Sequence, residues 1–132
     1  MAETKFDPSS LVRVKTVADI ENLAKETLGI FVFELNDEKL FAVTQRLPGL
    51  RHLVSDGNTQ VTDHGVEHLK EFSALESLDL EWSNVTDAGL QGIAAVKSLR
   101  WVDLSYCKGV SPQGAAELQR MRPDLEAIFT WP

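Results

Sequence analysis

A chain of 132 residues with 43% hydrophobic and 25% charged residues has the size and composition of one folded domain. Its net charge of −7 disfavours nucleic-acid binding, which needs a basic face, and favours a basic protein partner, although acidity also serves solubility alone. The sequence has no apolar run long enough to span a membrane and no signal peptide, and its single cysteine suits a reducing compartment. We therefore expect a cytoplasmic protein that binds neither nucleic acid nor membrane.

The first 27 residues predict a strand followed by a helix. Residues 11–14 alternate between apolar and polar side chains as strands do, and Thr16 begins an apolar stripe at helical spacing that ends at Gly29. Repeated folds need such a unit to cover the apolar face of the first repeat. We expect residues 1–27 to form an N-terminal cap.

The motif L-x-x-L-x-L then recurs along the rest of the chain. It begins at residues 28, 50, 75, 99 and 125. The ninth position of the first four units holds a small polar residue or a thiol, which we expect to turn inward and bond the bend after the strand: Asn36, Asn58, Ser83 and Cys107. The recurrence predicts repeats over 28–49, 50–74, 75–98 and 99–124, with a strand cap over 125–132.

A second motif, V-T-D-x-G-V, follows the strand in the later units. It is found at 61–66 and 85–90, and in altered form at 110–115. Thr62, Thr86 and Ser111 are predicted helix N-caps, and Asp63 and Asp87 then lie where the helix dipole favours a negative charge. Apolar residues follow at helical spacing in each unit: Val66, Leu69, Phe72; Leu90, Ile93, Val96; Ala115, Leu118, Met121. We expect the glycines to allow the helices to pack closely.

Together these motifs resemble the cysteine-containing subclass of leucine-rich repeats. The resemblance is clear over residues 50–131 and weaker over 28–49. It implies an α/β fold: a right-handed solenoid with a curved parallel sheet on the concave face and helices on the convex face, in a single short domain. It implies little about function, since such repeats serve many unrelated binding proteins. The subclass is familiar from the substrate-receptor arms of F-box ubiquitin ligases, but the residues ahead of the repeats in this sequence leave no room for an F-box, so we do not expect the ubiquitin-ligase role.

The strand predicted over 125–132 is an edge strand, because no helix is predicted after it. Exposed edges invite pairing with another chain. Either the cap is minimal, or this edge docks a partner or a second copy. We expect a monomer or a weak homodimer formed through this edge.

The predicted concave face carries the candidate binding residues. The third, fifth, seventh and eighth positions of each unit are expected to face solvent, which brings an acid column together with exposed aromatic side chains: Glu34, Asp56 and Glu81, flanked by Asp79 and Asp103, beside Trp82, Trp101, Tyr106, Phe129 and Trp131. Acids and aromatic rings suit lysine or arginine side chains. Alternatively, the aromatic rings only cover the sheet or close its end. The face would offer roughly 400 Å² in projection, below the ~800 Å² per partner of a standard interface.

One motif points to an enzyme. His64, Glu67 and His68 match the H-x-x-E-H pattern of some zinc peptidases. The match falls on the variable outer face of a repeat helix, so we interpret it as coincidental and expect no catalytic residues, metal or cofactor.

These observations rank three functional hypotheses. The first is a non-catalytic protein-interaction module that binds a basic protein through the acidic and aromatic face, as an inhibitor or immunity-type protein would. The second is a structural, self-associating repeat protein. The third, a zinc peptidase, ranks last.

Overall fold

A computed structural model of the chain describes residues 10–131 and contains a single parallel β-sheet of six strands. The strands lie side by side in chain order, so each pairs with the one before and the one after it. Their bounds are β1 Val12–Val14, β2 Gly29–Val32, β3 His52–Ser55, β4 Ser77–Asp79, β5 Trp101–Asp103 and β6 Glu126–Ile128. This arrangement confirms the predicted α/β class.

A helix follows each of the first five strands. The helices are α1 Val17–Glu21, α2 Asp37–Arg46, α3 Asp63–Val66, α4 Leu90–Ala94 and α5 Pro112–Met121. A 3₁₀ segment, Glu67–Glu71, extends α3, and another, Asp87–Gly89, leads into α4. None of the helices within residues 10–131 combines the length and apolar character that a membrane crossing requires.

The core lies between the sheet and the helices. The first, fourth and sixth positions of the later units are fully or almost fully buried, as the motif predicts: Leu50, Leu53, Ser55, Leu75, Leu78, Leu80, Leu99, Val102 and Leu104. The predicted apolar faces of the helices close over them, except that Met121 is exposed. Burial of these side chains is the main favourable contribution to folding.

From α2 onwards, an aspartate at each helix start bonds to the start of the next helix. The Asp37 carboxylate accepts bonds from the Thr62 backbone N–H (2.8 Å) and hydroxyl (2.6 Å). The same two bonds join Asp63 to Thr86 and Asp87 to Ser111. The N-caps are confirmed, because these hydroxyls also accept from N–H groups of their own helices. The aspartates therefore bind the neighbouring unit, a role beyond the predicted dipole interaction.

The glycine of the second motif makes room for this carboxylate. A Cβ added to Gly65 would lie 2.1 Å from Asp37 Oδ1, and one added to Gly89 or Gly114 would lie as close to Asp63 or Asp87. Such distances are far below van der Waals contact. The expected close approach of the helices is therefore confirmed, and the acid of one unit sets it.

The inward turn residues differ in part from the prediction. Ser83 and Cys107 are buried, and the Ser83 hydroxyl oxygen lies 3.2 Å from the Cys107 sulfur. The Cys107 thiol also donates to the Leu80 carbonyl. Asn58 is exposed instead, and Thr59 is buried in its place. Asn36 is the N-cap of α2, because the turn after β2 is shorter and reaches the helix sooner.

The register of β2 is one residue away from the predicted one. Ile30 pairs with Leu53, so Ile30 and Val32 point to the core while Phe31 lies on the opposite side. Leu28, the predicted first position of this unit, is 52% exposed. Consequently the seventh position of the unit is Phe33, and Glu34 occupies the eighth.

The C-terminal strand is shifted in the same way. Ala127 pairs with Val102, so Ala127 and Phe129 pack against the core and Ile128 does not. At the other end, α1 ends at Glu21 rather than near Gly29, and Ala24 is exposed.

We predict that Gly89→Ala lowers the free energy of unfolding by about 1–3 kcal/mol, because the new methyl group would displace the Asp63 carboxylate from Thr86. Gly49→Ala is the matched control, since a Cβ there meets nothing within 4 Å. Urea unfolding of both variants measures the difference. Equal stability of the two variants would show that the aspartate contact does not require this space.

Candidate functional site

The sheet face opposite the core, called the open face below, changes character from one end to the other. Its central row, set by the strand register, runs from a cation through two apolar residues to two acids and an apolar residue: Arg13, Phe31, Val54, Asp79, Asp103 and Ile128. Side chains at alternate positions of a strand share a face, which adds Lys15, Phe33 and Glu81 to this surface. The open face is thus basic at β1 and acidic at β4 and β5.

Three carboxylates form what we call the acid cluster: Asp79, Glu81 and Asp103. They can bring one oxygen each within 4.8 Å of one another. Asp79 and Asp103 are directly paired across β4 and β5. Each also accepts a bond from a backbone N–H two residues later, Glu81 N–H at 3.1 Å and Ser105 N–H at 2.8 Å. These bonds hold the two aspartates in place.

Two carboxyl groups of the acid cluster, Asp79 and Glu81, keep their protons to a higher pH than isolated carboxyl groups do. Burial, then repulsion from Asp79 and Asp103, raises the pKa of Glu81 to about 7. Burial is also the main reason that the pKa of Asp79 is raised, with Asp103 adding to the effect. Because the charged forms repel one another, a cation placed here would stabilise them.

Two aromatic side chains, called the aromatic pair, stack next to the acid cluster. The rings of Trp82 and Tyr106 lie 4.5 Å apart at 16°. Both residues occupy the eighth position of their unit with left-handed backbones, φ 62° and 60°, where the preceding unit has Gly57. Bulky residues seldom adopt this conformation, which costs roughly 1–2 kcal/mol in a non-glycine residue. Trp82 remains 51% exposed.

A groove of about 390 Å³ lies beside the aromatic pair, and we call it the aromatic groove. Its lining residues are Trp82, Ser83, Asn84, Thr86, Tyr106, Lys108 and Gly109. These belong to the turns that follow β4 and β5, so the groove lies at the carboxyl ends of the strands.

The basic end of the open face rests on aromatic rings. The Arg13 guanidinium lies 4.8 Å from the centre of the Phe31 ring, and the Lys15 ammonium 5.5 Å from that of Phe33. These are cation–π distances. The sequence prediction missed this feature although the alternation at 11–14 placed Arg13 outward, because the register error hid Phe31 and Phe33.

The structure brings together only part of the predicted site. Asp79, Glu81 and Asp103 meet, and Trp101 lies on the same face two residues before Asp103. Asp79 was predicted to be solvent-facing but is only 7% exposed. Glu34 is not in the column of Asp56 and Glu81, because the register of β2 differs.

The other predicted site residues lie apart from the acid cluster. The Asp56 carboxylate accepts from the Asn58 backbone N–H in its own turn and from that of Glu34. Phe129 points to the core rather than to the open face, for the register reason given above. Trp131 is exposed, stacks on Phe129 at 5.7 Å and donates its indole N–H to the Val110 carbonyl.

The histidine motif is split between two helical segments. His64 lies in α3 and His68 in the 3₁₀ segment after it, with ring centres 6.2 Å apart. His68 instead contacts the Phe41 ring at 4.9 Å. Among the described residues 10–131, the possible metal-ligand atoms of the acid cluster converge, whereas those of His64, Glu67 and His68 do not.

Comparison with known proteins identifies one repeat. Residues 74–94 match the family described as Leucine Rich repeat, and this segment contains β4, the turn after it and all of α4. No curated protein matches the chain. Leucine-rich repeats are in general protein-interaction modules and typically not catalytic.

We predict that Glu81→Gln becomes more stable relative to the native chain as pH rises from 5 to 8. In the folded chain the pKa of Glu81 is raised to about 7, above its value in the unfolded chain. Protonated Glu81 therefore contributes stability below its unfolded pKa, and this contribution is lost as pH rises through about 7. Glutamine cannot ionise, so the variant escapes this loss. His52, whose pKa burial lowers, is present in both chains and cancels from the difference.

Urea unfolding at several pH values measures this difference. Glu21→Gln, on α1, is the matched control and should show a constant difference. If the stability difference between Glu81→Gln and the native chain did not change with pH, the repulsion between Glu81 and the two aspartates would be contradicted.

We predict that Trp82→Gly is more stable than Trp82→Ala by about 1 kcal/mol, because alanine keeps the cost of the left-handed backbone and glycine does not. At Trp101, in β5, the order should reverse, since glycine weakens a strand. Chemical denaturation of the four variants gives both orders. The same order at both positions would argue against strain at Trp82.

Proposed function

We propose that the chain is a right-handed leucine-rich-repeat solenoid whose open face is concave and whose function is to bind a protein without catalysis. The matched repeat at 74–94 and the strand–turn–helix units on both sides of it support this. In this proposal residues 1–27 cap the array, 28–124 form the repeats and 125–132 close the other end. The cysteine-containing subclass is supported by buried Cys107 and Ser83 at the turn.

We further propose that the acid cluster receives a cationic side chain of a basic partner. The single observation that carries this is the convergence of three carboxylates next to an exposed aromatic pair. Clustered acids repel one another, and arginine or lysine would pair with them while contacting the rings. Trp82, Trp101 and Tyr106 would then surround the bound cation.

The nature of the partner follows from charge. With a net charge of −7, the chain would attract a basic protein over a distance and speed the encounter. One concrete form is an inhibitor or immunity-type protein that covers a basic surface of its target in the cytoplasm. The cations of the open face lie at β1, so a partner is oriented with its basic part over β4 and β5.

The test is capture of a partner from the native host by three tagged forms of the chain. Glu81→Gln with Asp103→Asn removes two cluster charges, and Glu21→Gln with Glu26→Gln removes two exposed charges elsewhere. We expect one basic protein, identified by mass spectrometry, to be captured by the native chain and the control and at least tenfold less by the cluster variant. Equal capture by all three would contradict the assignment of the acid cluster.

A further inference from the structure

The aromatic groove contains hydrogen-bond donors that the described chain leaves unused. Within residues 10–131, the Trp82 indole, the Tyr106 hydroxyl, the Asn84 amide and the Lys108 ammonium have no side-chain hydrogen bond or ion pair. The neighbouring hydroxyls are already occupied, Thr86 by Asp63 and Ser83 by Cys107. Indole and ammonium groups only donate, so donors are in excess in this groove.

This combination selects a ligand with flat apolar faces and an excess of acceptors. A proline-rich segment has these properties, because its backbone carbonyls accept while proline has no N–H to donate. In the polyproline II conformation its backbone bonds nothing internally, and aromatic grooves commonly bind such segments. A sugar or an ordinary peptide strand would bring donors as well, and the carboxylates that could accept from them lie in the neighbouring acid cluster rather than in the lining of the groove.

The acid cluster lies at a suitable distance from the groove. Asp103 precedes Tyr106 by three residues with a turn at Ser105 and Tyr106, so their Cα atoms are at most about 11 Å apart, within reach of the ~9 Å of one polyproline II turn. Glu81 directly precedes Trp82. A cationic residue about three positions from the prolines would therefore reach the acid cluster while the prolines lie in the groove.

The dimensions of the open face also favour a short segment. A face of roughly 400 Å² in projection is about half of what one partner buries in a standard interface. A single extended segment needs less area and fits a groove of about 390 Å³. Its conformation is largely formed before binding, which lowers the entropic cost of association.

From this geometry we propose that the aromatic groove and the acid cluster together bind a proline-rich segment that carries an arginine or lysine about one polyproline turn from its prolines. The inference rests on the proposed function and specifies its partner. The prolines contact Trp82 and Tyr106, whose N–H and O–H donate to the segment's carbonyls. The cation pairs with Glu81 and Asp103.

The probe is a blocked nine-residue peptide with one arginine, two alanines and six prolines. The chain has three tryptophans, so its three indole N–H signals can be followed by NMR during titration. We expect the Trp82 signal to shift on binding. Trp82→Phe and Tyr106→Phe keep a ring but remove a donor. Because Trp82→Phe lacks the signal that is followed, the affinities of the variants are compared by calorimetry, and each should bind roughly three- to tenfold more weakly. Phe41→Leu, on α2, is the control and should bind as the native chain does.

Two further peptides separate this inference from the proposed function. One replaces the prolines with alanine and the other replaces the arginine with glutamine, and both should bind about tenfold more weakly than the probe. If the alanine peptide binds as tightly as the probe and Glu81→Gln weakens both, the proline inference is wrong and the acid cluster keeps its proposed role.

The remaining outcomes are equally decisive. If the glutamine peptide binds as tightly as the probe, the groove binds prolines but the proposed role of the acid cluster is wrong. If no peptide shifts the Trp82 signal, the proline inference is overturned. A saccharide that shifts it where the peptides do not would overturn it as well.

Discussion

The contact between an aspartate of one unit and the helix N-cap of the next determines how the repeated units fit together. Each aspartate accepts both the backbone N–H and the hydroxyl of the following cap, as Asp63 does from Thr86. Charge-assisted bonds of this kind are stronger than neutral ones. The glycine of the next unit leaves the aspartate its space. Hydrophobic burial drives folding, but it is not directional. The aspartate contact is directional, and it fixes the stagger, that is, the offset between the starts of successive helices.

This stagger leads to the candidate site. Because the helix starts are fixed and the strands are paired, the turn between them must reverse within a few residues. The chain reverses at the eighth position of the unit, where the backbone is left-handed: Glu34, Gly57, Trp82 and Tyr106. Equivalent positions in adjacent units are about 4.8 Å apart, which is also a stacking distance for aromatic rings. The repeat therefore places Trp82 on Tyr106 without any contact specific to the two residues, and the aromatic groove forms beside them.

The sequence was sufficient for the fold where its pattern was unambiguous and failed where two registers were equally apolar. The leucines of the units at 50, 75 and 99 could be placed because polar residues alternate with them. Ile30, Phe31 and Val32 in β2 and Phe33 just after it are all apolar, so either alternate set can face the core, and only pairing with Leu53 decides. Ala127 and Ile128 pose the same problem. Each error moved a candidate, Glu34 or Phe129, to a wrong place. The acid cluster was partly predictable, since Asp79 and Asp103 both occupy the fifth position of their units. The burial of Asp79 depends on its neighbours in the folded chain and could not be predicted from that position.

Two local costs coincide on the same two units, and this coincidence is the strongest reason to place a function there. Left-handed aromatic residues and clustered acids each lower stability. The left-handed turn is common to four units, with Glu34 and Gly57 in the other two, but only the units of β4 and β5 place a bulky aromatic residue there and add an acid to the central row, where the unit before them has Val54. The cations that would relieve the acids are at β1, three strands from Asp79, where they contact Phe31 and Phe33 instead. Backbone strain and unrelieved charge persist where the surrounding structure enforces them, and they concentrate at functional sites. A binding partner that supplies a cation and covers the exposed Trp82 ring would offset both costs at once.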